Sequence, residues 1–124
     1  MELKEDLVER FIRYVKISSQ SNAAGTEVPT SEGQWEYARL LQGELAELGF
    51  EDIKLNEHCI LTARLKGNCK ADAIGFVSHL DTVDVALSPV VKPQIIEYKG
   101  GDVILNEKEG ISIKLSEHPE LNNY

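Results

Sequence analysis

Apolar and polar residues follow one another at the start of the chain with the period of an α-helix. Apolar side chains recur at intervals of four, which predicts an amphipathic helix over residues 3 to 17. The positions on this apolar face are Leu3, Leu7, Phe11 and Val15. A polar loop over residues 18 to 25 is expected to follow, because Ser, Asn and Gly dominate it.

A second helix is expected after Thr30. Ser31 and Gln34 have the spacing of a capping box, in which each side chain bonds the backbone N–H of the other residue. Gly49 is expected to end this helix in the left-handed conformation. Apolar positions between these ends recur about every 3.6 residues and are interpreted as core. They are Trp35, Ala38, Leu41, Leu45 and Leu48.

Strand patterns come next along the chain. Ile53 and Leu55 alternate with polar neighbours, and residues 59 to 65 (CILTARL) are rich in β-compatible side chains. Residues 73 to 77 (AIGFV) are apolar without alternation. That pattern predicts a strand buried on both faces, in the middle of a sheet covered by helices.

Two β-hairpins are expected in the last third of the chain. Residues 94 to 98 can pair with residues 102 to 106 across a turn at Gly100 and Gly101. Residues 103 to 105 can then pair with residues 111 to 115. The order of elements predicts an α/β fold, with N-terminal helices packed on a mixed β-sheet and followed by hairpins.

Composition and charge limit the classes of function. The 124 residues suit one domain, and a net charge of −8 with no run of Lys and Arg argues against nucleic acid and anionic membrane partners. We find no signal peptide and no apolar stretch long enough to span a bilayer, so a cytoplasmic protein is expected. Cys59 and Cys69 are interpreted as free thiols of a reducing compartment.

The candidate chemistry lies at the end of the most apolar segment, where His79 and Asp81 follow it. Residues i and i+2 of a strand face the same side, so the two side chains can share one cavity. A carboxylate beside a histidine fixes its tautomer, which suits either a metal ligand or a general base. A structural hydrogen-bonded pair is the alternative. His58 and His118 are interpreted as solvated or capping residues.

Four stretches in order carry a family resemblance. They are LVERFIRYVKISSQS from residue 7, EVPTSEGQW from residue 27, IGFVSHLDT from residue 74 and PQIIEYKGGDVIL from residue 93. Together they resemble the N-terminal part of the peptidase T family. These proteins are cytoplasmic tripeptide aminopeptidases of the two-zinc metallopeptidase superfamily.

The resemblance implies roles for both candidate residues. His79 matches a ligand of one zinc ion, and Asp81 matches the catalytic residue that orients that histidine. In the complete enzymes, a zinc pair bridged by a carboxylate would polarise the substrate carbonyl and activate a water, with a separate glutamate as general base. The substrate would be a short peptide with a free amino terminus.

The chain departs from the family pattern in its length. The other metal ligands and the general base lie beyond the matched region, so residues 1 to 124 are interpreted as the N-terminal portion of a zinc-peptidase catalytic domain. Alone it is expected to be inactive, to hold zinc weakly and to self-associate through exposed sheet edges. The alternatives are another hydrolase of the superfamily, such as a dipeptidase or deacylase, and a non-catalytic partner domain.

Overall fold

The computed structural model describes residues 2–85 and 90–124, in two compact units, Met1–Pro93 and Gln94–Tyr124. The first unit contains helices α1 (Leu3–Tyr14) and α2 (Glu32–Glu47) and strands β1 (Glu51–Leu55) and β2 (Leu61–Arg64). The second contains strands β3 (Val103–Asn106) and β4 (Ile111–Ile113) and a 3-10 helix (Pro119–Asn123). The predicted α/β class is confirmed. In place of one mixed sheet, the described strands form two separate antiparallel pairs, together with an isolated parallel bridge.

Helix α1 is confirmed, although it ends at Tyr14 and not at residue 17. It contacts α2 through polar side chains that meet at Glu44, whose side chain is only 13% exposed. One oxygen of this carboxylate lies 2.7 Å from Arg10 Nη1 and the other lies 2.6 Å from Arg13 Nη2. The Tyr14 hydroxyl also donates to Glu44. Burial is the main cause that raises the pKa of Tyr14.

The apolar face of α1 is exposed. Leu3, Leu7 and Phe11 are all exposed, and α1 contributes no buried residue. The amphipathic pattern therefore predicts the helix correctly but, in the described structure, the apolar stripe is not covered.

The start of α2 differs from the prediction in its cap. Ser31 is the N-cap residue, but its hydroxyl makes no hydrogen bond in the described structure, so the predicted capping box is wrong. The Gln34 side chain donates instead to the Thr30 hydroxyl at 3.2 Å. The side chain of Gln34 is thus bonded to Thr30 and not to the backbone N–H of Ser31.

The end of α2 is confirmed. Gly49 has a φ of +80°, and its N–H donates to the Ala46 carbonyl at 3.0 Å. The N–H of Phe50 donates to the Leu45 carbonyl at 3.0 Å, which completes a Schellman motif. Within the helix, Ala38 is fully buried, whereas the last predicted core position, Leu48, is exposed.

Strands β1 and β2 form an antiparallel hairpin that packs against α2. Its connection is stabilised by Asn56, whose side-chain oxygen accepts hydrogen bonds from the N–H groups of His58 and Ile60 at 3.0 and 2.9 Å. Cys59 in this turn is buried, and its thiol donates to the Gln34 carbonyl of α2 at 3.4 Å. The pattern-based prediction of both strands is therefore confirmed.

The predicted buried strand over residues 73–77 is wrong. These residues form no strand, and their large side chains lie in solvent, with Ile74 82% and Phe76 94% exposed. A central strand needs a hydrogen-bonded neighbour on each edge and a cover on each face. The described residues supply neither, and the apolar run is uncovered.

In the second unit, one of the two predicted hairpins is confirmed. Strands β3 and β4 pair antiparallel, and Gly110 in their turn has a φ of +66°. The hairpin expected between residues 94–98 and 102–106 is wrong, because residues 94–98 form no strand. The Tyr98 hydroxyl donates to the Gly101 carbonyl at 2.8 Å, so a side chain and not a facing strand bonds that carbonyl.

Gly33 lies where the first turn of α2 touches the preceding loop. A Cβ at this position would lie 1.7 Å from the Ser18 carbonyl oxygen, which is far inside contact distance. We expect Gly33→Ala to lower the free energy of unfolding by about 1–3 kcal/mol, because the backbone must move to make room. Urea unfolding followed by circular dichroism measures this loss.

Gly43 provides the matched control in the same helix, because a Cβ there would meet no atom within 4 Å. Gly43→Ala is expected to raise stability by up to about 1 kcal/mol through helix propensity. Equal effects of the two substitutions would contradict the close approach at Gly33.

The shared carboxylate of Glu44 gives a second prediction. Glu44→Gln is expected to destabilise the protein, because two guanidinium groups then lose their common anion and repel each other. The loss should shrink in about 1 M salt, where the repulsion is screened. Thermal unfolding at low and high salt measures it. Glu32→Gln is the control, since Glu32 is highly exposed and pairs with Arg39 at 3.3 Å; an equal loss there would contradict the role of Glu44.

Candidate functional site

The two candidate residues lie in contact with each other. His79 Nδ1 is 2.7 Å from the backbone carbonyl oxygen of Asp81 and 3.2 Å from its carboxylate oxygen Oδ1. A carbonyl and a carboxylate oxygen can only accept, so Nδ1 must be the donor. This fixes the tautomer of the neutral ring and leaves the lone pair on Nε2.

The environment of the pair is open. The side chain of His79 is 82% exposed and that of Asp81 is 44% exposed. The sequence predicted that both side chains face the same side of a strand. They are in contact, but residues 79–81 form no strand, so the expected strand is wrong. Their assignment as a zinc ligand and a catalytic residue stays a prediction.

The chain is fixed immediately after this pair. The N–H of Thr82 donates to the Ser19 carbonyl at 3.3 Å, and the Thr82 carbonyl accepts from the N–H of Ser21 at 2.9 Å. These two bonds form the isolated parallel bridge between Gln20 and Thr82. The Ser21 hydroxyl adds a third bond to the Thr82 carbonyl at 3.0 Å.

Asp84 holds the same loop two residues further on. One carboxylate oxygen accepts from the N–H of Ala23 and the other from Gln20 Nε2, both at 2.8 Å. The Ala23 bond, followed by that of Gln20, lowers the pKa of Asp84. Sequence reasoning missed these residues, since partners about 60 positions apart leave no local pattern.

The described residues do not complete a metal site. Among residues 2–85 and 90–124, no three His, Cys, Asp or Glu side chains lie close enough to bind one ion. The donor set of His79 and Asp81 fits one ligand and its orienting carboxylate, whereas a catalytic zinc requires about three protein ligands.

The other histidines are exposed, as expected. His58 lies in the β1–β2 turn with Nε2 3.7 Å from Glu57. His118 is the N-cap residue of the 3-10 helix, and its Nδ1 lies 3.0 Å from the Glu120 carboxylate. Both are solvated or capping residues, which confirms the interpretation from sequence.

The cysteines are free thiols, as predicted: Cys59 is buried and Cys69 is exposed. Burial raises the pKa of the Cys59 thiol. None of the helices that the structure describes combines the length and the apolar character required to cross a membrane.

Comparison with known proteins relates the whole chain to one group. No protein-family model matches it. It is 48% identical to a peptidase T-like protein of Yersinia pestis over 123 residues, which is 98% of the chain and 30% of that relative. It is 45% identical to a peptidase T-like protein of Rhizobium meliloti and 42% identical to peptidase T of Geobacillus thermodenitrificans, again over 98% of the chain and 30% of the relative.

The chain thus spans about 30% of the length of the curated relatives that it matches. Identity between 37% and 48% extends over nearly all of it, including the segment of His79 and Asp81. This chain is therefore homologous to an N-terminal part of peptidase T and of the peptidase T-like proteins.

Proposed function

We propose that residues 1–124 form the N-terminal portion of the catalytic domain of a tripeptide aminopeptidase. The substrate class would be short peptides with a free amino terminus, and the product their N-terminal amino acid. The similarity to proteins named peptidase T over 98% of the chain supports this proposal. A cytoplasmic location goes with it, because both cysteines are unpaired, as in a reducing compartment.

The observation that carries the proposal is the hydrogen bonding of His79. Its Nδ1 donates to Asp81, so the Nε2 lone pair remains on an exposed ring and is available to a metal ion. We assign Nε2 as a ligand atom for one of two zinc ions. The role of Asp81 is to hold the tautomer and to raise the basicity of Nε2.

Zinc, when bound, would supply the charge that polarises the peptide carbonyl and activates a water. This chain contributes one ligand and an orienting carboxylate to such a site, and its described residues contain no further ligand cluster. The chain by itself should therefore hold zinc weakly and hydrolyse no peptide.

Isothermal calorimetry tests the incomplete site. We expect zinc to bind this chain with a Kd above about 0.1 mM, because the chain offers one ligand and its orienting carboxylate, whereas a catalytic zinc site has about three protein ligands. A tripeptide hydrolysis assay on the same sample should show no turnover. His79→Ala should abolish the weak binding that remains, whereas His118→Ala, which alters another exposed His–carboxylate pair, should not.

Tight binding that His79→Ala removes would contradict the incomplete site, because other ligands would then have to come from this chain or a second copy. Zinc binding that is insensitive to His79→Ala would contradict the assigned ligand.

Self-association of the chain is the second part of the proposal. Residues 73–77 form no strand and are uncovered, and each described sheet has two strands with open outer edges. Backbone groups on an open edge and apolar side chains in water both favour pairing with another chain. A second copy of this chain carries the same uncovered apolar segment and is the partner that we propose.

Light scattering over a range of concentrations tests this association. We expect the mass of the wild-type chain to exceed that of a monomer and to rise with concentration. Phe76→Lys should shift the equilibrium toward monomer by at least about tenfold, because a charge opposes burial at the interface. Val28→Lys, at an exposed apolar position in a loop, is the control. A monomeric wild-type chain at high concentration would contradict the proposal.

A further inference from the structure

The contacts after His79 and Asp81 form one connected group, which we call the latch. It consists of Ser19, Gln20, Ser21 and Ala23 on the loop between α1 and α2, and of Thr82 and Asp84 on the later segment. Five hydrogen bonds of 2.8 to 3.3 Å join the two sides, counting that of the Ser19 carbonyl. It is the point at which the described chain fixes the segment that carries the candidate site.

A single peptide group connects the latch to His79. The carbonyl of Asp81 and the N–H of Thr82 belong to the same planar trans unit, so they point in opposite directions. The N–H donates to the Ser19 carbonyl, and the carbonyl accepts from His79 Nδ1 at 2.7 Å. The bond of the Thr82 N–H therefore sets the direction of the Asp81 carbonyl, which accepts from the His79 ring.

The same arrangement also strengthens the contact to the ring. A peptide group whose N–H donates a hydrogen bond is polarised, which makes its carbonyl a better acceptor. The bond from Thr82 to Ser19, at 3.3 Å, is long for such a bond and depends on its neighbours to keep it closed. Asp84 is the neighbour that uses both carboxylate oxygens on the loop.

The residues that precede His79 form no comparable contacts in the described structure. Residues 72–80 form no strand in the described structure, and most of their side chains are exposed. The position of His79 is therefore set by its contact with Asp81 and by the latch that follows.

We propose that Asp84 is a positioning residue: through the latch, it holds the Asp81 carbonyl on His79 Nδ1 and keeps Nε2 as the ligand atom. The functional meaning of this inference rests on the proposed metal-binding role of His79. Asp84 would act through its bonds to the loop and not by contact with metal or substrate. Gln20 assists it by binding the second carboxylate oxygen.

The tautomer of His79 measures this positioning directly. Long-range ¹H–¹⁵N NMR at a pH where the ring is neutral distinguishes Nδ1–H from Nε2–H, and a purely structural role of Asp84 would not change their ratio. In the wild-type chain we expect Nδ1–H to dominate at His79. Asp84→Asn should lower the ratio of Nδ1–H to Nε2–H by about threefold, because the neutral hydrogen bond from His79 Nδ1–H to the Asp81 carbonyl is weakened.

Two controls accompany this variant. Asp72→Asn makes the same charge change at an exposed position before His79 and should leave the ratio unchanged. His118 is an internal reference, because its Nδ1 also meets a carboxylate two residues away but lies outside the latch. Gln20→Ala is a second way to weaken the latch if Asp84→Asn disturbs folding, and it should lower the ratio in the same direction.

Hydrogen exchange of the Ala23 N–H reports whether the latch opens, and each outcome either supports or overturns the proposal. Faster exchange together with a lower Nδ1–H fraction at His79 supports the proposal. Faster exchange with an unchanged tautomer in both variants overturns it, and so does unchanged exchange in both variants, because the latch would then not hold the loop.

Zinc alone, added to the wild-type chain, separates this test from that of the function. A shift at His79 Nε2 on titration supports the ligand assignment whatever the variants do. If zinc causes no such shift but Asp84→Asn still changes the tautomer, the metal role fails and the positioning of the ring stands.

Discussion

Two backbone hydrogen bonds at Thr82 join the chain after His79 and Asp81 to the loop between the two N-terminal helices. The geometry of the candidate site depends on this contact, because the chain before it makes no sheet pairing in the described structure. A local His–x–Asp sequence is thereby oriented by residues about 60 positions away. The same loop also packs against the start of α2, where the absence of a side chain at Gly33 allows close approach to the Ser18 carbonyl.

Polar contacts are prominent in a unit that buries few apolar side chains. Ala38 and Cys59 are the buried apolar residues of the described chain, whereas a shared carboxylate at Glu44 links α1 to α2. Apolar burial is normally the main stabilising term in folding. The uncovered residues 73–77 and the exposed face of α1 are the surfaces where such burial is missing, in a chain that spans about 30% of its relatives.

Sequence reasoning succeeded where the determining interactions are local. Helical periodicity predicted α1 and α2, and Gly49 marked a C-terminus that needs a left-handed residue. His79 and Asp81 are in contact, although the strand that was expected to present them is absent. The reasoning failed at residues 73–77, because an apolar run reports what a segment would bury and not whether a neighbour is present to bury it. The latch was missed for a related reason, since its partners are brought together only by the fold.

The two thiols described above differ in the chemistry that can reach them. Alkylation requires a thiolate in contact with the reagent, and Cys59 is buried with a raised pKa. Cys69 is exposed in the bend that follows β2, a few residues before the uncovered segment 73–77. Of the two cysteines, the fold thus presents one for selective attachment of a fluorophore or spin label. The label would lie a few residues along the chain from the apolar segment 73–77, where it could test whether another chain covers that segment.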